Sequence, residues 1–166
     1  MTAVEIYMAQ ENIILQKHGE CNALLESLSA ESADEINILK IKRKTYFACL
    51  HMGLLCATMK EGHAERALKA RGKTVPSEAA NHPVINVLLP KLDGEEKDRF
   101  ISAVQGELYI RNRLYSAYVS EYESAKASGD AEKASELSIQ IEAVEDVLKA
   151  FGNWRKENGI YPHIFE

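Results

Sequence analysis

Apolar side chains recur at intervals of three and four along most of this chain, the spacing that puts them on one face of an α-helix. Over residues 2–28 the stripe is Tyr7, Ile14, Cys21, Leu25 and Leu28, with Glu11 and His18 on the same face. Residues 29–34 break the pattern. Ser32, followed three positions later by Glu35, has the form of a capping box and predicts the start of a second helix.

That helix holds the sharpest contrast in the sequence. Lys40, Lys42, Arg43 and Lys44 lead directly into 46–59, fourteen residues with no formal charge unless His51 is protonated. Fourteen is too few to cross a bilayer, which takes roughly 20. A helix passing from solvent into a buried core is expected, with Gly62 as its stop and a short helix over 63–71 after it.

Three prolines, Pro76, Pro83 and Pro90, then interrupt regularity. Between the last two, VINVLL reads as one or two buried helical turns in preference to a strand. Asp93 and Glu96 open a long helix running to about Ser128, with the stripe Ile101, Val104, Leu108, Arg111, Tyr115, Tyr118, Tyr122 and Ala125. After the turn SGD, a last helix starts at Asp130 and carries Ala134, Leu137, Ile141, Val144, Leu148 and Phe151. Two such seams joined by a tight turn predict an antiparallel hairpin. Gly159 is placed to end it, and the tail IYPHIFE either folds back or docks elsewhere.

The expected fold is therefore all-α: an antiparallel helical bundle of about four long helices plus one or two short ones. At 166 residues it forms a single domain, 1–166, read as an N-terminal hairpin (1–71), an irregular connector with a short helix (72–92), a C-terminal hairpin (93–158) and an apolar tail (159–166). Apolar residues at 46% and charged ones at 27% are ordinary globular usage.

Charge adds a feature that periodicity does not show. The net charge of -5 divides into an acidic start, with one basic residue against seven acids in 1–39, a basic island of nine against two in 40–73, and an acidic remainder of ten against sixteen. Glu5 and Glu11 stand where an export signal needs positive and then apolar residues, so none is expected. Three cysteines without a C-x-x-C pair read as reduced thiols, and a cytoplasmic location is expected.

Catalytic chemistry finds little purchase. Cys49, Cys56 and His63 recur every seven residues, but seven residues span roughly 10 Å of helix, too far for one ion. Core packing of soft side chains is the better reading. No Glu-x-x-His occurs, which argues against carboxylate-bridged metal bundles. Glu142, Glu145 and Asp146 lack a matching acidic pair on the preceding helix and read as a solvated face. ARGKT at 70–74 ends like a phosphate-binding loop, but Ala67 stands where that loop needs glycine. No metal, cofactor or catalytic residue is expected.

Two sets of residues carry candidate binding roles. The first is the basic segment, Lys40, Lys42, Arg43, Lys44, Arg66, Lys69, Arg71 and Lys73, able to meet an acidic protein, another part of an oligomer, or the phosphates of a nucleic acid with Tyr46 near enough to stack. The second is Arg111 with Tyr115, Tyr118 and Tyr122, either an anion pocket or an interface. Arg111, and Arg43 in line with Leu39, Phe47, Leu50 and Leu54, have a structural alternative: ion pairs with Glu11 or another acid that fix helix register. Coherent packing without coherent catalysis favours a non-enzymatic interaction protein, an adaptor, inhibitor or chaperone-like factor acting through helix faces. Its expected partner is a protein, with a homodimer among the expected states. A nucleic-acid binder using 40–73 and a receptor or enzyme for a small anion are the alternatives.

Overall fold

A computed structural model describes residues 3–29, 31–54 and 82–160. Among these the chain is all-α. Helix α1 spans Ala3–Ser27, and α2 spans Ala33–Ala48 and widens without a break into a π-helical turn, Cys49–Leu54. Short α3, Pro83–Leu88, ends in a 3-10 turn, Leu89–Lys91. One continuous rod follows, made of α4 (Gly94–Tyr109), a second π-helical turn (Ile110–Tyr115) and α5 (Ser116–Ser128). Helix α6, Ala131–Glu157, is the last. The expected short helix at 63–71 and the stop at Gly62 lie outside the described residues.

The rods close a ring in which α1 packs on α2 and α4, α2 on α6, and α6 on α5. Inside it, Ile14, Cys21, Tyr46, Ile110, Val144 and Phe151 belong to one cluster fed by every rod. A smaller cluster seats α3 on the outside of α4 through Ile85, Phe100, Val104 and Leu108. The VINVLL segment is helical, with Ile85 fully buried and Val87 exposed.

The α5–α6 turn is built from local chemistry. Gly129 takes the left-handed conformation (φ 74°), and the Asp130 and Gly129 amides donate back to Ala125 and Lys126 at 2.9 and 3.2 Å. Asp130 then caps α6 by accepting from the Lys133 amide at 3.1 Å. The same closure ends α6 at Gly159 (φ 66°), where the Ile160 amide reaches the Arg155 carbonyl at 2.8 Å. Ile160 is buried against Ile6 and Ala103.

Three sequence expectations are corrected. Ser32 (φ -94°, ψ 42°) precedes α2, which starts where expected, but its side chain makes no cap bond. The stripe of the long rod slips at residue 110. Val104 and Leu108 are buried against α3 and not in the central cluster, to which the rod contributes Tyr109, Ile110 and Leu114, with Tyr115 and Tyr118 packed at its margin and Arg111 and Tyr122 half-buried. Nor is the uncharged segment uniformly buried: Tyr46, Cys49, Leu50 and Leu54 point inward, while Phe47, His51 and Met52 are exposed.

The two π turns pack against each other, and glycine makes the approach feasible. A Cβ on Gly53 would fall inside the Ile110 side chain. One on Gly106 would come within 2.8 Å of Gln10 Oε1 and 2.9 Å of Leu54 Cδ1. Gln10, fully buried, donates from Nε2 to the Ala103 carbonyl at 2.8 Å and so ties α1 to α4. Among the described residues no helix is long and apolar enough to cross a membrane.

Candidate functional site

Positions 40, 44, 47 and 51 succeed one another by four, three and four, so α2 and its π turn present Lys40, Lys44, Phe47 and His51 along one outward line. Opposite, α1 supplies His18. Between the two helices lies an open groove of about 500 Å³ lined by His18, Lys40, Arg43, Lys44 and Phe47.

Arg43 is the best fixed of these. Its Nη1 donates to Asn22 Oδ1 at 2.9 Å, and Asn22 Nδ2 in turn stands 3.5 Å from His18 Nδ1. A neutral amide therefore orients the guanidinium and leaves its positive charge uncancelled by that contact, in place of the expected ion pair with Glu11 or another acid. Phe47, 51% exposed, sits between two imidazoles, with His51 at 4.2 Å and His18 at 6.0 Å between ring centroids. The half-exposed phenyl ring thus offers apolar surface bordered by three cationic side chains. Leu15 and Met8, also exposed, follow His18 along α1 at helical spacing.

The other members of the basic segment separate. Lys42 points across the bundle to Glu142 on α6, Nζ to Oε1 at 3.5 Å. Arg66, Lys69, Arg71 and Lys73 lie outside the described residues.

Arg111 and the tyrosines have separate surroundings. Arg111 is half-buried beside Glu107, Arg155 and Tyr115. The Tyr115 hydroxyl donates to Glu145 Oε1 at 2.9 Å, a bond that raises its pKa. Tyr118 packs against the core, and burial pushes its hydroxyl pKa up. Tyr122 lies under Lys126, whose Nζ is 5.4 Å from the ring centroid. Two of the three clustered acids of α6, Glu142 and Glu145, are thus engaged by Lys42 and Tyr115.

One polar centre escaped the sequence reading altogether. Glu107, fully buried, meets Arg155, 2% exposed: Nε lies 2.9 Å from Oε2, and Nη2 donates to Oε1 at 3.2 Å. Burial pushes the Glu107 carboxyl up to about 7, against the pull of Arg155 and Arg111 beside it. A signal existed for half of the pair, since Arg155 is the next step in the seam Leu148, Phe151 of α6. Phe47 and His18 were likewise assigned to core faces when they belong to the groove.

No known family model matches this chain, and neither curated proteins nor solved structures provide a match.

Proposed function

We propose that this chain is a cytoplasmic, non-enzymatic interaction protein, an adaptor, inhibitor or chaperone-like factor, and that the α1/α2 groove is where it receives an acidic protein partner. One observation carries the reading: Phe47 stands half-exposed among Lys40, Arg43 and Lys44, giving an apolar anchor inside a cationic frame. Interfaces take this form, with an aromatic or arginine anchor at the centre and charge setting partner choice. The groove is open along two helices, which suits a partner helix or extended segment with acidic side chains about an apolar one.

The test is stoichiometric capture by the wild-type chain compared with Phe47→Ala and Lys44→Glu variants. Loss of capture at unchanged melting temperature is the expected result. Capture that survives both substitutions overturns the reading.

Phe47 between two imidazoles also favours a second reading, in which nucleic-acid bases stack on the ring while the lysines hold phosphates. Binding of a labelled single-stranded oligonucleotide that weakens steeply with salt, and that Phe47→Ala abolishes, would select it.

A further inference from the structure

We propose that the acidic group received by this groove is the phosphorylated tyrosine of a protein partner, its phosphate held by Lys40, Arg43 and Lys44 and its ring laid on Phe47. This rests on the reading of the groove as a docking surface and adds the chemical class of the ligand.

The charge of the groove points to a dianion. Lys40, Arg43 and Lys44 fall within little more than one turn of α2, and none of the side chains lining the groove is acidic. Like charges at i and i+4 on a helix repel. Among the described residues none of the three makes an ion pair, whereas Lys42, on the same stretch of helix but turned to α6, finds the Glu142 carboxylate.

Arg43 is also set in place ahead of any ligand. The bond from its Nη1 to Asn22 Oδ1, 2.9 Å long, orients the guanidinium through a neutral acceptor and leaves its charge for a partner. A carboxylate offers two oxygens in one plane and a single charge, which one arginine satisfies. A phosphate ester brings three acceptor oxygens and a charge of about -1.5 to -2. Three cations lining one groove match the second.

The aryl half of the ligand follows from Phe47. It stands four residues beyond Arg43 on the same groove, about 6 Å of helix rise, which one rigid aryl phosphate can bridge. Its exposed half offers the offset or edge-on packing that aromatic pairs favour. A phosphorylated serine or threonine has no ring to cover it.

NMR titration of the full chain with phenyl phosphate, inorganic phosphate and benzoate tests this. Phenyl phosphate should bind on the order of 10-fold more tightly than either of the others. Arg43→Gln should weaken it by on the order of 10-fold, and Phe47→Ala should bring it down to the level of inorganic phosphate. The ranking of the three probes in the wild type involves no substitution and decides the proposal if a variant fails to fold. Absence of phenyl phosphate binding, benzoate binding as tightly, or an unchanged affinity in folded Arg43→Gln overturns it. Tighter binding of thymidine monophosphate overturns it too and selects the nucleic-acid reading. If the wild type captures an acidic protein through Phe47 and that capture survives phosphatase treatment of the partner, the docking surface stands and only the phosphoryl class is wrong.

Discussion

Glu107 and Arg155 join α4 to α6 with no solvent-exposed surface on the carboxylate side. Glu107→Ala leaves a buried guanidinium without its counter-charge and should cost about 3 to 5 kcal/mol in denaturant unfolding. Because burial holds the Glu107 carboxyl up at about 7 against an ordinary value of 4.5, the folded chain keeps this proton where the unfolded chain has lost it. The folded state therefore binds more protons between those two values, and this group's contribution to stability falls as pH rises through that window, then levels. Glu107→Gln should remove that component, so that wild type loses stability relative to the variant between about pH 4.5 and about pH 7 in urea titrations. Parallel pH profiles for the two proteins would refute the assignment. Gly106 is a second sensitive position: Gly106→Ala places a Cβ against Gln10 and Leu54, and melting should report about 1 to 3 kcal/mol of overpacking.

Among the elements, the turn between α5 and α6 is the most locally determined. Asp130→Ala removes the cap on the Lys133 amide and should cost about 1 kcal/mol by thermal melting. Lys42 to Glu142, by contrast, is an exposed pair at 3.5 Å, and Lys42→Met should change stability by less than about 1 kcal/mol. Helix α6 was legible in the sequence for the same reason that its turn is: the cap, the left-handed glycines and the seam through Leu137, Val144 and Phe151 are all short-range signals. The π turns were not. A widened turn follows from how two rods meet at Gly53 and Ile110, a tertiary contact with no local pattern, and past it Tyr115 and Tyr118 pack only at the margin of the central cluster. Cys49 sits in such a turn, and burial pushes its thiol up to about 12; Cys21 is raised by burial as well. In a Cys56→Ser background, native protein should show no thiol reactive with a disulfide reagent at neutral pH and denatured protein two. Rapid labelling of the native chain would show that this part of the core opens.

At the scale of the molecule, the bundle gathers a central apolar cluster from four rods and leaves Phe47 on its surface among Lys40, Arg43 and Lys44. Helical spacing already separates Lys42 from Lys40 and Lys44, but what each side meets is a tertiary matter: Lys42 reaches Glu142 on α6, while Lys40, Arg43 and Lys44 line a groove with an aromatic ring and His18 from a different helix. Which neighbour each side faces depends on the azimuth of α2 in the assembled bundle, which residue spacing within one helix does not fix. The most direct measurement places a photo-reactive benzoylphenylalanine at position 47 of the full-length chain and irradiates it in cells. A discrete protein adduct is expected, abolished by Lys44→Glu and absent when the probe stands at exposed Glu123 on α5. Labelling at position 47 no different from that at 123 would contradict a docking role for this groove.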